Sequence, residues 1–92
     1  MNTAKKGRRL EYRSRALLES LGYTVIRAAA SKGDWDLVAY SATGWVLIQV
    51  KAGRPPSPAE REALAESPRP PACRRLVHVW RPRQRLPDVQ EL

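Results

Sequence analysis

Four polar side chains stand where a purely structural role would be costly. Gln49 and Lys51 lie two residues apart in the apolar run 45–51, so a strand would project both from one face. Asp36 precedes a second apolar run, and Glu11 borders a stripe of leucines with helical spacing. Burying an amide, an ammonium or a carboxylate costs several kcal/mol unless each has a partner. If the two apolar runs pair as a hairpin and the helix packs over them, the four side chains converge.

This set of side chains favours hydrolysis assisted by a divalent cation. Carboxylate and amide oxygens are hard ligands that suit Mg²⁺ or Mn²⁺. An adjacent lysine can orient or deprotonate a water and neutralise charge on a scissile phosphate. Each residue also has an ordinary explanation: Glu11 could pair with Arg15 four positions on, and Lys51 could extend to solvent from a strand end. Asp34 competes with Asp36 as a metal ligand.

The elements that must position these residues alternate between helix and strand. Ser57, Pro58 and Glu60 have the spacing of a capping box with proline in the first turn, which predicts a helix start. The pattern predicts helices over 8–21 and 57–66 and strands over 23–28, 34–40, 45–51 and 75–81. The fold class is therefore α/β (α+β), in the order α-β-β-β-α-β, with residues 1–92 as one domain and 82–92 as a loose tail.

The charge of the chain predicts a polyanionic partner. Seventeen Lys and Arg against nine Asp and Glu give a net charge of +8, and thirteen of the cations are arginine. Residues 1–15 hold six cations against one acid, and residues 69–85 hold six arginines and no acid. Such clusters favour nucleic acid. The cations assigned to DNA contact are Lys5, Lys6, Arg8, Arg9, Arg13, Arg15, Lys32, Arg54, Arg74 and Arg75.

Several functional classes are disfavoured by the sequence. Cys73 is the single cysteine, so neither an internal disulfide nor a cysteine-based zinc site is expected. No apolar run approaches the ~20 residues of a membrane span, and no secretion signal is evident, so we expect a cytoplasmic protein without membrane contact. No glycine-rich phosphate loop is present, so no nucleotide cofactor is expected.

Three segments together resemble the PD-(D/E)XK nuclease superfamily, most of all the small Holliday junction resolvases of archaea and phages. They are Gly7-x-x-x-Glu11, the run from Gly33 to Ala39, and Ile48-Gln49-Val50-Lys51, and the resemblance covers roughly residues 5–53. It implies a restriction-endonuclease-like core with a mixed central sheet flanked by helices. It also implies a Mg²⁺-dependent DNA endonuclease that leaves a 5′-phosphate and a 3′-hydroxyl.

The same resemblance implies roles for individual residues. Asp36 and Gln49 would bind Mg²⁺, Lys51 would assist the attacking water, and Glu11 would be a further metal or water ligand. The Val50 carbonyl would be an extra metal ligand, and Ser31 would contact the DNA backbone.

Two departures from the motif keep alternatives open. Trp35 replaces the proline, and Gln49 replaces the commoner glutamate, which weakens metal binding because the ligand is neutral. The alternatives are a non-catalytic nucleic-acid-binding module on the same fold and a general or restriction-type nuclease. The expected partner is DNA, either branched or duplex. Because a junction is cut on two strands, a homodimer is expected, with Leu76, Trp80 or the tail as candidate contacts.

Overall fold

The structure, a computed structural model, describes residues 3–27 and 35–92, with side chains from residue 7 onward. It contains two helices and five strands in these ranges. The elements are α1 (Thr3–Ser20), β1 (Thr24–Arg27), β2 (Leu37–Ser41), β3 (Gly44–Ala52), α2 (Pro58–Glu66), β4 (Cys73–Trp80) and β5 (Asp88–Glu91). Ser31 and Lys32 lie outside the described residues, as do the side chains of Lys5 and Lys6.

The five strands form one mixed sheet in the order β1-β2-β3-β4-β5. Neighbouring strands are antiparallel except β3 and β4, which run parallel with Trp45 opposite Cys73 and Ala52 opposite Trp80. A parallel pair needs a crossover connection, and α2 lies within it. The predicted fold class is therefore confirmed, and its most apolar strand, β3, lies at the centre of the sheet.

The alternation of side chains along β3 separates the two faces of the sheet. Val46 and Ile48 join the core on the α1 side, with Leu18 of α1 and Leu37 of β2 in the same cluster. On the other face, a second cluster holds Leu64 of α2 with Val77, Val79, Trp35 and Leu92. Because strand side chains alternate, Gln49 and Lys51 project away from the α1 core, towards the α2 face.

The start of α2 has the capping box that the sequence predicts. The Glu60 N–H donates to Ser57 Oγ at 3.2 Å, and the Ser57 N–H donates to Glu60 Oε1 at 3.4 Å. At the other end of this helix, Arg75 Nη1 donates to the carbonyls of Leu64, Ala65 and Ser67. Both ends of the crossover helix are thereby satisfied.

The expectation of a loose tail over 82–92 is wrong. Residues Asp88–Glu91 form β5, which pairs antiparallel with β4, and Pro87 before it is buried. The Leu92 N–H donates to the Arg75 carbonyl at 2.9 Å, which closes the chain end onto the sheet. Without β5, β4 would be an edge strand of the sheet, and the pairing satisfies the backbone groups along that side of it.

Two other expectations change with the structure. Helix α1 begins at Thr3, five residues before the predicted start. Leu76 and Trp80, considered as dimer contacts, are 7% and 4% exposed and belong to the core of their own chain. None of the described helices is long and apolar enough to cross a membrane.

Candidate active site

Asp36 is fixed at the start of the β2–β3 hairpin. Its N–H donates to the Ile48 carbonyl at 2.9 Å, and its Oδ2 accepts from the Val50 N–H at 2.8 Å. Both contacts are to the backbone of β3, so the carboxylate is held by the sheet itself. The β2–β3 hairpin therefore brings the Asp36 carboxylate against the β3 backbone at Val50.

Three of the four sequence-predicted residues line one open cleft of about 690 Å³. Helix α1 contributes Glu11, the residue before β2 is Asp36, and β3 contributes Lys51. Val50 lines the same cleft. Gln49 is half-buried in β3 and is not among the described side chains that line it.

The cleft disfavours charge on Asp36. Burial raises the pKa of this carboxyl, and the negative charge of Glu11 raises it further. The hydrogen bond from the Val50 N–H and the charge of Lys51 act in the opposite direction, but the net pKa shift is upward. A cation placed at this carboxylate would offset both unfavourable effects.

Lys51 is held from α2 by an acid that the sequence analysis treated only as a capping residue. Lys51 Nζ lies 2.9 Å from Glu60 Oε2, while Oε1 of the same carboxylate takes part in the capping box. The hydrogen bond from Lys51 lowers the pKa of the Glu60 carboxyl. The signal for this role was its position in the first turn of the helix directly after β3.

A second partner that the sequence analysis missed is Arg27 at the end of β1. Its Nε donates to Glu11 Oε1 at 3.0 Å, and its guanidinium carbon lies 5.8 Å from the centre of the Tyr12 ring. The pair is partly buried, with 28% and 21% of the two charged side chains exposed. Arg27 thereby ties α1 to the sheet where Glu11 enters the cleft.

The donors around the cleft suit a magnesium ion that keeps several waters. Among residues 7–27 and 35–92, no three Asp, Glu, His or Cys side chains form a group able to hold a metal. Mg²⁺ in phosphoryl-transfer sites commonly takes one or two carboxylates and completes its shell with water and substrate oxygens. Asp36 and Glu11, which share the cleft, meet that smaller requirement.

The seven arginines assigned to DNA contact fall into two groups in the structure. Arg8, Arg9 and Arg54 are exposed. The others have intramolecular partners: Arg13 lies over the Trp80 ring, Arg15 pairs with Glu19, Arg74 pairs with Glu91, and Arg75 caps α2. DNA contact by either group stays a prediction.

The fold and the cleft together define a class of protein. A helix, three antiparallel strands, a crossover helix and a parallel strand form the restriction-endonuclease-like fold, with the cleft where α1 meets β2 and β3. This is the fold of the PD-(D/E)XK nuclease superfamily, so the resemblance found in the sequence is confirmed.

A particular solved structure matches the chain along most of its length. It is Hjc from Archaeoglobus fulgidus, a Holliday junction resolvase from an archaeal hyperthermophile. The TM-score is 0.70 and the sequence identity 25%, over 95% of this chain and 71% of that one. No family model and no curated protein matches the chain.

Proposed function

We propose that this chain is a metal-dependent endonuclease that hydrolyses DNA phosphodiester bonds, with selectivity for branched junctions. The observation that carries the proposal is the meeting of Asp36, Glu11 and Lys51 in one cleft of a restriction-endonuclease-like fold. The similarity to an archaeal Holliday junction resolvase supports the choice of substrate. The net charge of +8 supports a polyanionic substrate.

Asp36, Gln49 and the Val50 carbonyl are the groups proposed to hold Mg²⁺, with Glu11 as a further ligand to the metal or to water. When bound, the ion would supply positive charge beside the scissile phosphate and a more acidic water. Asp36 is suited to this role because the backbone of β3 fixes its position and its charge lacks full compensation.

The remaining chemistry belongs to side chains of this chain. Lys51 Nζ, held by Glu60, would donate a hydrogen bond to the scissile phosphate or to the attacking water. Arg27 keeps Glu11 directed into the cleft. In-line attack of water on phosphorus, with the P–O3′ bond breaking and the departing O3′ taking a proton, would give a 5′-phosphate and a 3′-hydroxyl.

Cleavage assays on four-way, nicked and linear DNA, with Mg²⁺ and with Mn²⁺, test the proposal. We expect the four-way substrate to be cut symmetrically on two strands, and the cutting to stop when EDTA is added. Preferential cutting of linear DNA would instead assign a general or restriction-type nuclease.

A non-catalytic DNA-binding module is the second candidate, and two observations favour it. Gln49 brings an amide where the motif usually has an acid, and the described residues hold no three-membered acidic cluster. Pure protein that binds every one of these DNAs and cuts none would assign that function.

A further inference from the structure

A second cleft, of about 280 Å³, lies beside the proposed active site and is lined by four arginines. Arg9 and Arg13 come from α1, while Arg81 and Arg83 come from the turn after β4. Leu10 lines both clefts, which therefore adjoin along α1. Nothing in the proposed chemistry uses this cleft.

Two of the four guanidinium groups have partners within the chain. The Arg13 guanidinium carbon lies 4.2 Å from the centre of the Trp80 ring, and its Nη2 donates to the Gln84 carbonyl at 3.2 Å. Trp80 is itself anchored, since its Nε1 donates to the buried Ser14 Oγ at 2.7 Å. Arg81 Nε donates to Asp88 Oδ2 at 2.6 Å. These contacts set the positions of Arg13 and Arg81 at the cleft.

The other two arginines are available for a ligand. Arg9 and Arg83 are exposed, and the five ion pairs of the described residues include neither. Arg83 has φ of 66°, a left-handed conformation that non-glycine residues seldom adopt. Strain of this kind is tolerated where it directs a side chain to a functional position.

The net positive charge of the cleft favours an anionic ligand. Asp88 is the acid paired with its arginines, so four guanidinium groups face one carboxylate, an excess of three positive charges. The planar guanidinium fork matches the paired oxygens of a phosphate. Leu10 and Trp80 line the same cleft and contribute its apolar surface.

We propose that this arginine cleft binds a phosphodiester of the DNA that the protein cuts, next to the scissile one. The inference rests on the proposed function, because the adjoining clefts would then lie on one DNA strand. That strand would run along α1, from the Asp36 cleft to the turn at Arg83. Free phosphate has the same chemistry, so the experiment must separate the two sources.

The first test compares the salt dependence of DNA binding, measured with EDTA present so that nothing is cut. Arg9→Gln and Arg83→Gln should each weaken binding about five- to tenfold and lower the slope of log Kd against log salt by about one. Arg83→Lys should restore the wild-type salt slope, because the positive charge is kept. It should recover less than half of the affinity lost in Arg83→Gln, because lysine lacks the planar pair of donors of a guanidinium. Arg61→Gln, on exposed α2, is the control with the same charge change, and it should leave both nearly unchanged. Equal effects of all the Gln variants would overturn the proposal.

The second test measures ligand binding at the arginine cleft without any cleavage. In ¹H–¹⁵N spectra, dimethyl phosphate should shift the Trp80 indole signal in the wild type and leave it unshifted in Arg83→Gln. Duplex DNA should displace the diester. If inorganic phosphate binds and DNA fails to displace it, a free anion is the ligand and the DNA assignment fails. If the wild type binds DNA here yet cuts no substrate, the proposed nuclease function fails and the phosphate site stands.

Discussion

At the scale of single residues, some groups of the candidate site can be recognised in the sequence and others cannot. Gln49 and Lys51 are visible because a two-residue spacing in an apolar strand places polar groups on one face. Asp36 is visible by its position before β2. Glu60 was recognised only as a capping residue and Arg27 received no role, because their pairing with Lys51 and Glu11 depends on how α2 and β1 pack beside the cleft.

Replacing Asp36 should reduce cleavage without reducing the stability of the fold. Asp36→Asn keeps an oxygen for the Val50 N–H but removes the charge that burial disfavours. We expect cleavage to fall about a hundredfold or more while the melting temperature stays equal or rises. DNA binding should persist, because the basic surface supplies most of the affinity. Loss of folding would show instead that this carboxylate is structural.

Glu60→Gln tests how Lys51 is held. Glutamine also forms a capping box, so the helix start should survive while the charged partner of Lys51 is lost. We expect the cleavage rate at saturating DNA to fall about tenfold, with affinity unchanged or slightly tighter. Glu62→Gln is the matched control, since it removes the same charge from an exposed position of α2. Equal rates for both variants would contradict a role for Glu60.

Gln49→Glu restores the acid that the motif usually has. If Gln49 binds the metal, this variant should keep or increase Mg²⁺-dependent cleavage and should need less Mg²⁺ for half-maximal rate, because a charged ligand binds the ion more tightly. A metal titration of the cleavage rate measures this. A higher Mg²⁺ requirement than in the wild type would argue against Gln49 as a ligand.

At the scale of elements, α1 is fastened to β4 by a buried polar contact. Ser14 Oγ accepts from Trp80 Nε1 and lies 3.0 Å from His78 Nδ1. Ser14 and His78 are 0% and 2% exposed. The contact lies one helical turn from Glu11, so it also sets where α1 meets the cleft.

Burial of His78 gives the fold a defined sensitivity to acid. Desolvation lowers its pKa from 6.5 to about 4, so the folded state disfavours the proton that the unfolded state accepts. Stability is therefore fully present above pH 6.5 and declines as pH falls towards 4, by up to about 3 kcal/mol from this group. Urea unfolding at several pH values should show the decline, and His78→Gln should flatten it. An unchanged slope in that variant would contradict this assignment.

The last strand shows where sequence reasoning fails at this scale. β5 has three exposed positions and one half-buried one, so it carries no alternating apolar signal, and Pro82 and Pro87 favour a loop. What orders it is tertiary: the free edge of β4 and the ion pairs Arg74–Glu91 and Arg81–Asp88. The strands with strong apolar patterns were predicted to within three residues of their observed ends.

The chain end should therefore contribute to stability. Leu92 packs against the cluster of Leu64, Val77 and Val79, so Leu92→Ala should lower the free energy of unfolding by about 1 kcal/mol or more. Val89→Thr, at a position 53% exposed in the same strand, should change it by less than about 0.5 kcal/mol. Denaturant melts measure both. Equal effects would mean that β5 is held by its backbone pairing alone.

At the scale of the whole molecule, a homodimer stays a prediction, which rests on the two-strand cut of a junction. A twofold assembly presents two active sites with the symmetry of its substrate. We expect light scattering at tens of micromolar to give twice the 10.4 kDa chain mass, and two chains on each four-way DNA. A monomer under both conditions would exclude junction resolution and leave a nuclease that acts on one strand.

The mixed sheet has a consequence for the order in which this protein folds. Ser41 and Gly44 close the β2–β3 hairpin three positions apart, whereas parallel Trp45 and Cys73 are 28 apart, and the contact of Ser14 with His78 spans 64. Loop-closure entropy delays the distant contacts, so the hairpin should form first. Substitutions along it should slow folding, while those between α1 and β4 should mainly speed unfolding. The hydrogen bonds that hold Asp36 against β3 would then form before α1 docks and completes the cleft.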